Sequence, residues 1–118
     1  MDEDQDLRKR TKAFALRIVR MYVSLPKTSE AQVLGKQVLR SGTSPGAQYR
    51  EAYRSRSTAE FTSKIEGGLQ ELEETAYWLE LLVESGIVPE KRMAELLKET
   101  DELIAIFAAS AKTAKKNK

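Results

Sequence analysis

Two groups of side chains in this sequence have the types and spacing to do chemistry. The first is acidic: Glu71 and Glu74 stand three residues apart, as do Glu99 and Glu102. On a helix that spacing puts both carboxylates on one face, which is part of what a di-metal site in a helical bundle requires. Such sites also need a histidine three residues from a glutamate, and the chain has none. It has no cysteine either, so zinc sites built on sulfur or imidazole and Ser-His or Cys-His nucleophiles are excluded. Gly42, Gly46, Gly67 and Gly68 match neither a P-loop nor a dinucleotide-binding pattern. The expectation is a non-enzymatic protein with no metal and no cofactor.

The second group lies in SGTSPGAQYREAYRSRS, residues Ser41 to Ser57. If this segment is helical from Pro45, Tyr49 and Tyr53 are one turn apart, and Arg50 and Arg54 are one turn apart on the adjacent face. Arg40 and Arg56 flank them, and Arg10, Arg17 and Arg20 add bases upstream. Aromatic rings that stack on bases, interleaved with guanidinium groups that pair with phosphate, make a nucleic-acid surface. The competing reading packs both tyrosines into a core and pairs the arginines with Glu66, Glu71, Glu73 or Glu74.

Charge is distributed to allow either reading. Residues 1–6 hold four acids and no base, and residues 7–64 hold thirteen Lys or Arg against three acids. Residues 65–110 hold three bases against eleven acids, and four lysines follow from Ala111. A basic half beside an acidic half means a surface for an anionic polymer, or two halves that neutralise each other on folding or assembly.

The elements that would position these residues are helices. Leu7, Phe14, Ile18, Met21 and Leu25 fall on one stripe, and Pro26 ends the segment. Ser29 with Gln32 predicts a capping box for a second helix carrying Ala31, Leu34 and Val38 on one face. Gly42 to Gly46 interrupt that pattern, and Ser44-Pro45 predicts a kink and a resumption. Ser57 with Glu60 caps a long third helix with Phe61, Ile65, Leu69, Leu72, Ala76, Leu79 and Val83 on its stripe, closed by Gly86. Pro89 opens a fourth, with Met93, Leu97, Thr100, Ile104 and Phe107. No alternating strand pattern or hairpin dipeptide occurs.

The predicted fold is therefore all-α: an antiparallel, up-down-up-down four-helix bundle, with helix two kinked near Pro45. One domain accounts for 118 residues, divided into an acidic extension (1–6), the bundle (7–110) and a basic, solvated tail (111–118). Absence of an apolar leader or of a run near 18 apolar residues predicts a cytoplasmic protein without a membrane span.

Three details bear on packing. The adjacent glycines Gly67 and Gly68 each cost a helix about 1 kcal/mol relative to alanine, which predicts close approach of a second helix or a bend. Trp78 beside Tyr77 reads as partly buried core, or as an interface anchor if it lies at an edge. Leu16, Val19, Val23, Val33, Leu39, Leu81, Leu82, Leu96, Leu103 and Ile106 exceed what a monomeric bundle needs and predict a second buried face, hence a homo-oligomer.

The run QVLRSGTSPGAQYREAYRSRSTAEFTSKIEGGLQELEETAYWLELL, Gln37 to Leu82, resembles small bacterial four-helix proteins encoded in intervening sequences of 23S ribosomal RNA genes, also labelled S23 ribosomal proteins. The likeness extends over roughly Leu7 to Ala108. That family commonly reads Ser-Ile-Pro-x-Asn-Ile-Ala-Glu-Gly at the kink. Here Gln48 stands for the Asn, Glu51 for the Glu and Ala52 for the Gly, Phe61 matches a helix-three Phe, and the proline has moved to Pro45 with Gly46 in its usual place. The resemblance implies a left-twisted four-helix bundle that assembles as a homopentameric ring with a central pore; despite the label, it does not imply a structural component of the ribosome. The family is also similar to the accessory variability determinant of diversity-generating retroelements, a pentameric barrel that binds nucleic acid and a reverse transcriptase. Together these readings predict an oligomer that binds structured RNA or another nucleic acid. The alternative is a scaffold whose basic half serves assembly or recruits a protein partner.

Overall fold

The computed structural model describes residues 3–116, as four helices: α1 (Glu3–Val23), α2 (Ser29–Tyr53), α3 (Thr58–Glu84) and α4 (Glu90–Lys116). Short connections force successive helices antiparallel, and the four form an elongated bundle of 47 × 25 × 19 Å. α2 packs on α3, α3 on α4 and α1 on α2, and the fourth adjacent pair, α1 and α4, is the most loosely packed of the four.

Local chemistry sets the ends. Ser57 caps α3 by accepting from the Glu60 amide at 3.0 Å, as the spacing predicts. Gly86, at φ +81°, supplies the left-handed residue that stops α3. The cap of α2 is Thr28, one residue before the expected Ser29: its hydroxyl accepts from the Ala31 amide at 3.3 Å. Gln32 completes no capping box. It donates to the Pro26 carbonyl at 2.9 Å and accepts from Tyr22 at 3.2 Å, stitching α1 to the start of α2.

α2 runs through Pro45 as one helix. Pro45 withholds the donor that would meet the Ser41 carbonyl, yet the helix is not interrupted there. Ser44 does not open a new helix: its hydroxyl donates back to the Arg40 carbonyl at 2.7 Å. The glycines that interrupt the apolar pattern are the floor on which α1 lies. A Cβ at Gly42 would sit 2.7 Å from Ile18 Cγ1, and one at Gly35 2.6 Å from Leu25 Cδ1. In α3 the same logic holds for Gly68, where a Cβ would meet Phe107 of α4 at 2.6 Å, as close approach predicts.

The core is centred on Phe14, Ile18, Val38, Ile65, Leu72, Leu79, Leu82, Met93, Leu103 and Phe107. Leu82, Leu96 and Leu103, read from sequence as surplus, are thus core, because α3 and α4 are rotated relative to the predicted stripes. α3 buries Thr62, Gly68 and Thr75 where Phe61, Leu69 and Ala76 were expected, and those three lie partly exposed. A hydrogen bond makes the rotation affordable: the Ser41 and Thr75 hydroxyls lie 2.8 Å apart, and Thr75 Oγ1 is 2.7 Å from the Glu71 carbonyl. With one proton on each hydroxyl, Thr75 donates to that carbonyl and accepts from Ser41. α4 continues to Lys116, through the segment read as a tail, with Ala111 buried.

Candidate nucleic-acid interface

The sequence-predicted site residues do not form one surface. Arg10 donates from Nε and Nη2 to the two carboxylate oxygens of Glu99, both at 2.8 Å, and from Nη2 to Glu102 at 2.6 Å. The Arg10 hydrogen bonds hold the Glu99 carboxyl below its ordinary range, against the opposing effect of burial. The same bonds, Glu99 first, push the Arg10 guanidinium above its usual value. Arg40 donates to Glu71 at 3.2 Å, to Gln37 at 3.1 Å and to Glu74, which also accepts from Trp78 Nε1 at 2.8 Å. Each of the two carboxylate pairs that sequence spacing singled out is therefore closed by one arginine. Among the described residues no cluster of three or more His, Cys, Asp or Glu is arranged to hold a metal ion.

The tyrosines divide as well. Tyr49 is 2 % exposed, its ring centroid 6.1 Å from that of Phe107, so the exposure that base stacking requires is absent there. Tyr53 is 46 % exposed and stands between Tyr49 at 5.0 Å and Phe61 at 5.8 Å. Tyr53 is tilted against Tyr49 and edge-on to Phe61, which together support its ring.

Around Tyr53 the bases are unpaired. Arg50 and Arg54 close α2 and Arg56 lies in the turn to α3; all three are exposed, and none has an ion-pair partner among the described residues. The turn is stiffened by Ser55, which donates to the Ala52 carbonyl at 2.6 Å, and by the Arg54 amide on the Ala52 and Glu51 carbonyls. Lys64 is engaged by Glu51 at 2.7 Å, chiefly through a hydrogen bond that raises the ammonium's pKa. Arg17 and Arg20 of α1 belong to the other end of the bundle and are not part of this group.

Sequence reasoning missed two contributors. Lys12 lines a groove of about 270 Å³ between α1 and α2, together with Arg50, above the small residues Ala15, Gly46 and Ala47. The helical C-terminus of α4 brings Lys112 and Lys116, both exposed, to the end of the bundle where α2 finishes; Lys115 there reaches Glu66 of α3 at 2.6 Å. Helix propensity in AASAKTAKK was the available signal for this extension. Among the described residues no helix is long and apolar enough to cross a membrane.

Fold and surface define a small four-helix bundle in which Tyr53, Arg50, Arg54 and Arg56 gather at the end where α2 meets α3. The defining pattern of one protein family, the 23S rRNA-intervening sequence proteins, matches residues 3–109, and the chain belongs to that family. Among solved structures it is similar to a protein of unknown function from the S23 ribosomal protein family of Bacteroides thetaiotaomicron VPI-5482. The two are 34 % identical, the match covers 94 % of this chain and 99 % of that one, and the TM-score is 0.87. No curated protein matches the chain.

Proposed function

We infer that the protein is a non-enzymatic, homo-oligomeric module that binds structured RNA or another nucleic acid through the end of the bundle formed by Arg50, Tyr53, Arg54 and Arg56. The observation that carries this reading is the selective pairing of arginines. Arg10 and Arg40 are consumed by Glu99, Glu102, Glu71 and Glu74, while Arg50, Arg54 and Arg56 remain exposed and unpaired beside a half-exposed tyrosine. Guanidinium groups without protein partners, next to a ring that can stack, suit phosphate and base together.

Self-association rests on a separate feature. Leu16, Val19 and Val23 of α1 are 46, 38 and 67 % exposed along one outward stripe, and Val33 of α2 is 63 % exposed. Such a face is covered by a second copy, and the pentameric ring implied by the resemblance would repeat the basic end five times, adding weak contacts by multivalency.

The test is fluorescence anisotropy of a labelled structured RNA over a salt series, with duplex DNA as competitor. Three phosphate contacts per protomer give a log–log salt slope of about −2 to −3, steeper in an oligomer. Arg50→Glu with Arg54→Glu removes binding; unchanged affinity in that variant sinks the assignment. One observation favours the scaffold alternative: Glu73, Glu80 and Glu84 of α3 are exposed without partners among the described residues and could meet a neighbour's bases. In that case high salt dissociates the oligomer and RNA has no effect on it.

A further inference from the structure

The seam between α1 and α4 changes character along its length. At its lower part it is neutralised, because Arg10 satisfies Glu99 and Glu102. Two turns further along α1 a groove of about 320 Å³ opens, bordered by Arg17 and Arg20 of α1 and Arg92 of α4. No acidic side chain lines it. None of the three arginines has an ion-pair partner within reach among the described residues; Arg17 strengthens the acidity of Glu99, but both Glu99 oxygens are taken by Arg10. The floor is apolar: Met93 is 1 % and Leu96 5 % exposed, with Met21 partly buried beside them. Ser24 at the rim donates to the Met21 carbonyl at 2.7 Å, so its hydroxyl is left only as an acceptor.

Folding thus brings three guanidinium groups from distant parts of the chain to the rim of one groove whose lining includes no acidic side chain. Like charges gathered in this way repel one another, and an oxyanion seated among them relieves the repulsion and matches the planar donor forks. The apolar floor is suited to a flat or aliphatic body attached to that anion. We propose that the groove binds a phosphate monoester of about nucleotide size, its phosphate held by Arg17, Arg20 and Arg92 and its body resting on Met21, Met93 and Leu96. The site lies at the end of the bundle opposite Arg50 to Arg56, and it stands whether or not that end binds nucleic acid.

The experiment is titration of the full chain with adenosine 5′-monophosphate, adenosine and inorganic phosphate, followed by calorimetry and by amide chemical shifts. The nucleotide binds with a sub-millimolar Kd, and phosphate or adenosine alone binds about tenfold more weakly or worse. Arg20→Ala and Arg92→Ala each weaken the nucleotide by about tenfold, the loss of one charge-assisted bidentate contact, and Arg92→Lys falls between because it keeps charge without the fork. Adenosine binding as tightly as its monophosphate, a Kd insensitive to Arg92→Ala, or no response up to about 10 mM nucleotide overturns the proposal.

Discussion

Gly67 and Gly68 are neighbours in one helix, yet replacing each by alanine is expected to move stability in opposite directions. Intrinsic propensity favours alanine at both by about 1 kcal/mol. At Gly67 the new methyl would stand 3.3 Å from the side-chain amide of Gln48, the far end of a flexible and partly exposed chain that can give way. The propensity gain survives, and Gly67→Ala stabilises by about 0.5–1 kcal/mol. At Gly68 the methyl would stand 2.6 Å from Phe107 Cε2 and 3.1 Å from Cδ2, in a ring that is 1 % exposed and packed against Tyr49. Restoring ordinary contact moves that ring by nearly an ångström in a close-packed interior, at a cost of about 1–3 kcal/mol that outweighs the propensity gain. Gly68→Ala therefore destabilises, by up to about 2 kcal/mol, a fall in Tm of up to about 8 °C for a domain of this size. The assay is urea and thermal unfolding by circular dichroism at one fixed protein concentration, since self-association would shift the midpoint. A third variant isolates the cause: in a Phe107→Leu background, Gly68→Ala becomes neutral or stabilising. Shifts of the same sign at both glycines, or no rescue by Phe107→Leu, would refute the packing argument.

Two further predictions concern polar groups. Arg10→Ala strands Glu99 and Glu102 and lowers stability at neutral pH by about 0.5–1 kcal/mol, the scale of a partly exposed bidentate pair. Because the folded-state pKa of Glu99 is depressed, the pair's contribution is fully present above the ordinary Glu range and lost as pH falls through the lowered value; the gap between wild type and variant should close on acidification, and a gap constant to pH 2 would contradict this. Thr62 is 6 % exposed and its hydroxyl has no hydrogen-bond partner, so Thr62→Val, of matching shape, stabilises by about 1 kcal/mol in urea unfolding, whereas a loss would mean the hydroxyl is satisfied.

The contrast between paired and unpaired arginines was the part of the surface that spacing could not resolve. From sequence, Arg40 and Arg50 are equivalent bases on one helix. In the fold, a difference of ten residues turns Arg40 toward Glu71 and Glu74 and leaves Arg50 beside Lys12 over a groove. The two tyrosines were equally alike on paper, and a rotation about the α2 axis sends Tyr49 against Phe107 and leaves Tyr53 half exposed. Arg92 drew no notice in sequence because its companions, Arg17 and Arg20, lie more than seventy residues earlier.

What the chain determined on its own was whatever depends on near neighbours. Helix number, the Ser57 cap, the Gly86 stop and the antiparallel order follow from hydrogen bonds and backbone preferences within a few residues, and the absence of histidine and cysteine is a matter of composition alone. The tertiary structure decided how far each helix turns about its own axis. The apolar stripes are wide enough to permit several rotations, and the one adopted is selected where Gly42 admits Ile18, Gly68 admits Phe107 and Ser41 meets Thr75. Contacts of this kind join residues far apart in the chain. They also decide which charges are neutralised and which remain free to bind.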